Sequence, residues 1–583
     1  MIRIANCSGF YGDRLSAARE MVEGGPIDVL TGDWLAELTM LILARTRAKH
    51  PGQGYARTFL TQMEQVMGTC LDRGIKVVSN AGGLDPEACA HALSDLADRL
   101  GLSPTIAYVN GDDLLSRLPD LQRAGAITHF ESGEPMSDVS PFITANAYLG
   151  CFGIVEALAA GADIVVTGRV TDAALVCGPA AWHYQWRRDN FDALAGAVVA
   201  GHVVECGAQV TGGNYSFFRE VPHMERIGFP WVEIAEDGSC VVGKHDGTGG
   251  EVSLGTVTSQ LLYEIGSPSY LGPDVTARFD TIELEQLDVD RVRISGVRGE
   301  APPTTLKVAM NELGGYRKDL SVALTGLDIE EKAELLEEAF WVASPIACED
   351  FDSVTTRLVR TDKADPPTNE EAVAMWRVTI KDRDEHKVGR ALADAVVELA
   401  LASVPGFFIP GSSPSPGSPY GVYRPAVVAS NLVPQYVTVL GGERTVIDSV
   451  APTTLTHVVT NEGSRVEAPD GATTLAPLGH LFGARSGDKG GHANLGIFAR
   501  SDEAFAWLDS FLSVEELRRL LPETAPLIVD RFRLPALRSL NFVIHDLLEE
   551  GVAASTRQDA QAKGLGEWLR SRYVEIPTAL FTS

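Results

Sequence analysis

The chain has 583 residues, 45% of them hydrophobic and 22% charged, and its 78 acidic side chains against 49 basic ones give a formal net charge of −29. That length exceeds what one hydrophobic core organises, so at least two domains are expected, and the composition is that of a folded globular protein. A polyanion repels phosphate backbones and anionic lipids, which argues against nucleic acid and membrane surfaces as partners but not against a small anionic substrate in a locally basic pocket.

The N-terminus, MIRIANCSGF, lacks a basic segment followed by an apolar run, and no stretch nears the roughly 18 uninterrupted apolar residues of a membrane helix. The eight cysteines include no Cys-x-x-Cys pair, which argues against a structural zinc site or a disulfide framework. A cytoplasmic chain with reduced thiols is expected.

In chain order, Ile2–Asn6 reads as a strand, followed by a Gly-rich turn and a helix from about Arg14. Further short apolar runs follow at Ile27–Thr31, Ile75–Ser79, Thr105–Asn110 and Asp163–Thr167, each leading into Gly, Asn or Asp and then helical spacing. Asp85 suits an N-cap and Pro86 a first helical position. This order predicts an α/β fold with a mainly parallel sheet and crossover helices; a doubly wound sheet and a barrel both fit it.

From about 203 to 326 the texture changes to closely spaced strands, at Cys240–Gly243, Asp280–Leu284 and Val292–Val297, read as a β-rich insertion. Helices are expected at Glu330–Phe340 and Val388–Ser403, and a loop at Gly411–Pro419. The main domain is placed at 1–466 and a linker at 467–476. A small α+β domain is placed at 477–583, with strands at Ala493–Phe498, Ile528–Pro535 and Ser539–Ile544.

Ligands of parallel sheets lie beyond the carboxyl ends of the strands. That rule singles out Ser8, Gly9, Asp13, Asp33, Asn80, Gly82, Gly83, Asn110, Gly168 and Arg169. Gly9-x-x-Gly12-Asp13 fits an anion-binding turn or a plain tight turn equally. In Ile164-Val-Val-Thr-Gly-Arg-Val-Thr-Asp172, Arg169 offers a fork for a carboxylate, and Asp172 would orient it or act as a base; the alternative is a structural pair closing a loop. His202 and Glu205 could share a helical face as metal ligands or as a hydrogen-bonded core pair. Lys244-His-Asp-Gly-Thr-Gly-Gly250 gathers Lys244, His245, Asp246 and Thr248 before glycines, as a general acid–base loop or a hairpin turn. In the small domain Arg485, Ser486, Asp488, Lys489 and Asn494 lie among glycines, like an anion-recognition loop.

Asn80-Ala-Gly-Gly-Leu-Asp-Pro86, Val166–Asp172, Gly201-His-Val-Val-Glu-Cys-Gly207 and Lys244–Gly250 together resemble the acyclic terpene utilisation protein family (AtuA). Gly483-Ala-Arg-Ser-Gly-Asp-Lys-Gly490 with Asn494 is similar to that family's C-terminal ferredoxin-like part, so the resemblance covers essentially the whole chain. It implies a role in bacterial breakdown of citronellol and geraniol, where acyl-CoA intermediates are carboxylated, hydrated and cleaved. The implied activity is the splitting of 3-hydroxy-3-isohexenylglutaryl-CoA into an acyl-CoA and acetate. The family is broader than terpene users, so another branched hydroxy acid or CoA ester also fits, and the resemblance carries over no established catalytic residues.

The expected reaction is therefore a lyase step on a hydroxyacyl substrate. His245 or Asp246 would be the base, and Arg169 would grip a carboxylate beside the backbone N–H groups near Gly82 and Gly168. Arg485 and Lys489 would hold a second anionic group such as a CoA phosphate. A Mg²⁺ ion is possible, with Asp172 and Glu205 as ligands. The alternatives are a hydro-lyase on a free hydroxy acid, or a non-catalytic component of a catabolic complex with the small domain as docking module. A homo-oligomer is expected, most simply a symmetric dimer.

Overall fold

The computed structural model describes residues 1–411, 415–447 and 466–581, apart from the side chains of residues 37 and 38. The alternating first third forms β1 (Ile2–Asn6), α1 (Ala17–Gly24), β2 (Val29–Gly32), α2 (Arg57–Arg73), β3 (Lys76–Ser79), α3 (Pro86–Leu100), β4 (Ile106–Asn110), α4 (Phe152–Ala159), β5 (Ile164–Thr167), α5 (Ala174–Tyr184) and α6 (Phe191–Val204). Neighbouring strands β1, β2, β3, β5 and β4 run parallel, in the register Ile4↔Val29, Leu30↔Val77, Val77↔Ile164 and Ile106↔Ile164.

Burial on both faces explains their continuous apolar character. Val77, Ile164 and Val166 pack under α1, α2 and α3, whereas Val78, Val165 and Val109 pack against α4, α5 and α6. Asp85 does stand at the N-cap of α3 with Pro86 in the first turn, but its side chain makes no cap bond and instead accepts the N–H of Gly54 at 2.7 Å.

The expectation of a mainly parallel sheet is corrected. The sheet has eleven strands and is mixed, in the order β8-β9-β7-β6-β1-β2-β3-β5-β4-β10-β11, with β6 (Pro230–Ile234), β7 (Cys240–Lys244), β8 (Glu283–Asp288), β9 (Arg291–Ser295), β10 (Gln435–Val439) and β11 (Arg444–Ile447). These six flanking strands pair antiparallel with their neighbours. The β-rich stretch thus largely extends the central sheet. A separate three-stranded sheet, Ser269–Leu271, Thr276–Arg278 and Arg298–Glu300, packs on α6.

The chain divides into two compact units: residues 1–311, 423–552 and 559–583 form the first, and 312–422 with 553–558 the second. In the second unit, residues 316–325 of the long strand Thr305–Thr325 pair with Val373–Asp382, which pairs with Ser353–Val359. Helices Ile329–Ala343 and Arg390–Glu398 cover that sheet through Leu336, Phe340, Leu392 and Val396, against Val322, Trp376 and Ile380. Arg317 and Arg357 bind the carbonyls of Ser555 and Thr556, which ties the 553–558 segment to this unit. The loop expected at 411–419 lies partly outside the described residues, and its end belongs to the strand Ser418–Tyr423.

Within the first unit the C-terminal part has its own core. A four-stranded antiparallel sheet, β12 (Phe482–Lys489), β13 (His492–Ala499), β14 (Val529–Leu534) and β15 (Ser539–Ile544), is ordered β12-β13-β15-β14. Helices Asp502–Phe511 and Val514–Leu520 start at Ser501 and Ser513, whose hydroxyls accept the N–H of Ala504 and Glu516. Part of the segment expected to be a linker is the strand Thr473–Pro477, paired with Tyr573–Pro577.

Candidate functional site

The carboxyl ends of the parallel strands converge on one buried polar centre. Beyond β2, Asp33 is held by Asn80 from the end of β3: its Oδ1 accepts the Asn80 side-chain N–H at 2.5 Å and the Leu35 N–H at 3.0 Å. Asn80 in turn accepts the Trp34 N–H at 2.8 Å. Beyond β5, Arg169 is buried and donates from Nη1 to the Leu35 carbonyl at 2.8 Å and from Nη2 to Asp172 at 2.7 Å. Its guanidinium stacks 4.2 Å from the Tyr148 ring centre. Beyond β4, Asp112 accepts the Arg169 backbone N–H at 2.9 Å and the Asn146 side chain at 2.7 Å. Gly168 makes that packing possible, because a Cβ there would lie 2.3 Å from Asp112 Oδ1.

These carboxyls are not ordinary. Burial raises Asp33 to about 6, opposed mainly by the charge of Arg169 and the hydrogen bond from Asn80. Burial likewise raises Asp112 to about 7, against the N–H groups of Arg169 and Asn146. At the end of α6, Glu205 is pushed well above the usual range by burial and then by the charges of Asp172 and Glu264, with Arg169 and Lys489 opposing. Its Oε1 lies 3.1 Å from His202 Nδ1, one helical turn earlier. Burial lowers His202 to about 4. Both His202 ring nitrogens, Glu205 Oε2 and Gln260 Oε1 are buried without an aligned hydrogen-bond partner.

Other predicted residues serve the architecture around this centre. Ser8 takes the Asn6 side chain on its N–H at 2.6 Å and donates its hydroxyl to the Phe10 carbonyl at 3.0 Å. Gly9 donates to Asp13 at 2.9 Å, and a Cβ on it would meet the backbone of Cys206 at 2.7 Å. At Gly82 a Cβ would meet the Thr167 carbonyl at 2.5 Å, and Gly83 is left-handed at φ +53°. Asn110 lines a cleft of about 530 Å³ with Asp85, His91, Asp112, Asp113, Tyr436 and Arg444. That cleft opens where β3 and β4 end.

The reading of His245 as a base meets a different arrangement. His245 is buried, with Nε2 3.0 Å from the Met21 carbonyl and its ring against Gly24 and Gly25 at the end of α1. Burial lowers its pKa. Lys244 pairs with Asp290 at 2.9 Å and donates to the Thr248 carbonyl at 3.0 Å, while the Thr248 hydroxyl donates to the His245 carbonyl at 2.7 Å. Asp246 is exposed on the same turn. The run is a tight turn whose histidine plugs the end of α1.

As for a metal, Asp172 Oδ1 receives Arg169 and Glu205 Oε1 faces His202. Among the described residues no group of three or more His, Cys, Asp or Glu is arranged to hold an ion. The donor set does not fit one, and no step is assigned to it.

The small domain's loop meets the main domain through Arg485, Lys489 and Asn494, and its own domain through Ser486 and Asp488. Arg485 lies over the Tyr263 ring at 4.4 Å, and the Ser486 hydroxyl donates to the Ala562 carbonyl at 2.6 Å. Lys489 donates to the Glu264 carbonyl at 3.0 Å, Asn494 accepts the Glu264 N–H at 2.8 Å, and Asp488 lies 3.5 Å from Lys563. Lys489 thereby comes near enough for its charge to act on His202 and Glu205. Two members of the centre, Asp112 and Glu264, escaped sequence reading. Asn110-Gly-Asp112 after a strand carried a signal for the first, and nothing local marked the second.

The family model described as "Acyclic terpene utilisation family protein AtuA" matches residues 2–439, and the model "AtuA ferredoxin-like domain" matches 476–575. Comparison with curated proteins and with solved structures gives no match.

Proposed function

Because the chain belongs to the acyclic terpene utilisation protein family AtuA, we propose that it is a catabolic enzyme cleaving a carbon–carbon bond of a branched hydroxyacyl substrate by acid–base catalysis at this centre. One observation carries the reading. Two carboxyls stand around Arg169, and burial raises both, Asp33 to about 6 and Glu205 well above the usual range. Two such groups raised to different degrees in one centre supply a candidate base and a candidate acid.

In the forward direction Asp33 takes the proton of the substrate hydroxyl. The adjacent C–C bond breaks, its electron pair remains on the fragment next to the carbonyl as an enolate, and Glu205 returns a proton to that carbon. Arg169, aimed by Leu35 and Asp172, faces the negative charge that develops. A CoA ester is the favoured substrate form, because Lys489 and Arg485 add positive charge on the small-domain side.

The test is turnover of Asp33→Asn and Glu205→Gln on a panel of branched 3-hydroxyacyl-CoA esters and free 3-hydroxy acids. General acid–base groups contribute on the order of 10²–10⁴-fold, so each variant should lose that much while still binding. Binding is read as a thermal shift, which at about 100 times the dissociation constant is worth roughly 2.7 kcal/mol. Wild-type rates in Asp33→Asn would sink the assignment, and a thermal shift with free acids alone would move the substrate away from CoA.

A further inference from the structure

Arg485 stands on β12 with Gly483 and Gly487 two residues away on the same face, and Gly496 of β13 directly opposite. A Cβ on any of these glycines would strike a side chain already there: Phe498 at Gly483, Tyr263 at Gly487 and Leu262 at Gly496. Three buried walls, Phe498, Tyr263 and Leu262, therefore border the arginine. The segment that carries two of them is fixed by the small domain. Glu264 follows at φ +57°, a left-handed turn, and its N–H is accepted by Asn494 at 2.8 Å. Asn541 donates to the carbonyls of Ile265 at 3.3 Å and Gly266 at 2.7 Å, and both asparagines are fully buried.

Arg485 is 8% exposed, and its guanidinium carbon lies 4.4 Å from the Tyr263 ring centre. Among the described residues it has no hydrogen-bond or ion-pair partner, yet none of its nitrogens is enclosed. The charges nearby are engaged elsewhere. Lys563 lies 3.6 Å from Glu264 Oε1 and 3.5 Å from Asp488 Oδ1, and Lys489 donates to the Glu264 carbonyl at 3.0 Å. A largely buried guanidinium without a counter-charge is costly. In a chain with 78 acidic side chains, this one is walled by apolar groups instead.

We propose that Arg485 is an oxyanion receptor, whose fork takes one carboxylate or phosphate group of a ligand against the Tyr263 wall, so that the ferredoxin-like domain supplies a binding residue and is not only a docking module. A planar guanidinium fork matches two oxygens of such a group, which an ammonium does not. The apolar walls exclude water and strengthen the pair. One guanidinium neutralises one charge, so a single oxyanion is held. In a hydroxyacyl substrate it comes either from the carboxylate of the free acid or from a phosphate of the CoA ester. That the anion belongs to the substrate rests on the acid–base reading above; the receptor itself does not.

Isothermal titration of the whole chain with 3-hydroxy-3-methylbutyrate and with free coenzyme A tests this and separates the two sources. The wild type should bind at least one of them, and in Arg485→Gln its Kd should rise roughly 10- to 100-fold, the range of a charged hydrogen-bonded contact. Loss of the hydroxy acid assigns the carboxylate, and loss of coenzyme A assigns the phosphate. Lys489→Gln should weaken the same probe less than Arg485→Gln does. Arg485→Lys keeps the charge without the fork and should still bind more weakly than the wild type; it decides alone if Arg485→Gln does not fold. A wild type that binds neither probe, a Kd unchanged in the deciding Arg485 variant, or a larger loss in Lys489→Gln overturns the proposal. A wild type that binds through Arg485 but turns over no hydroxyacyl substrate leaves the receptor standing and removes the acid–base reading.

Discussion

Asp112 receives two N–H groups on one oxygen, and burial still outweighs them and lifts its pKa to about 7. The folded state therefore holds this proton more tightly than the unfolded chain. The stabilisation is complete below the ordinary carboxyl range and is lost as pH rises from about 4 through about 7. Asp112→Asn should abolish that part of the slope: the wild-type Tm should fall relative to the variant between pH 4 and 7.5, and parallel curves would refute it.

His245 makes the complementary case. Its ring fills the space left by Gly24 and Gly25 and binds the Met21 carbonyl. Replacing it by Ala should cost on the order of 1–3 kcal/mol of stability through the lost packing and the orphaned carbonyl. Turnover should stay within a few-fold of wild type. A loss of activity at unchanged Tm would return His245 to the mechanism.

Among the elements, α6 shows how small residues position chemistry. It is apolar on nearly every side, and it delivers His202 and Glu205 only because it approaches its neighbours closely. A Cβ at Gly201 would lie 2.7 Å from Ala173 Cα, and one at Gly196 2.2 Å from the Gly238 carbonyl. Gly201→Ala is expected to destabilise by about 1–3 kcal/mol, from the overpacking penalty. It should also lower activity more than Gly68→Ala, where a Cβ meets only Leu102 at 3.8 Å. Thermal denaturation of both variants decides this.

The strands of the central sheet were legible as strands because Val77–Val78 and Ile164–Val166 bury both faces. The direction of their neighbours was not. An apolar β-branched run packs equally well beside a parallel or an antiparallel partner, so Cys240–Lys244 and Arg291–Ser295 looked like an insertion although they continue the sheet.

At the scale of the molecule, the formal charge of −29 sets a background of self-repulsion that the buried cations only locally reverse. Raising ionic strength from about 10 mM to about 0.5 M shortens the Debye length from roughly 30 Å to a few ångström. Tm should therefore rise with NaCl, and a fall would mean that the exposed ion pairs outweigh the repulsion. No helix among the described residues is long and apolar enough to cross a membrane.

The sequence by itself determined the family, the strand–turn–helix beginning, and the polar residues at strand ends. Those follow from local spacing: a strand that ends in Gly and Asn before a helix must put them at one edge of the sheet. Asn80 and Arg169 could be found in this way. Only the tertiary structure decided that Asp33, Arg169 and Glu205, far apart in the chain, share one buried environment, that Asp112 belongs with them, and that His245 does not. It alone set Glu264 in a left-handed turn under two buried asparagines more than two hundred residues further along the chain. The protonation of a carboxyl and the strain of a turn depend on what surrounds them in space, and neither burial nor a distant hydrogen-bond partner leaves a local trace in the order of residues.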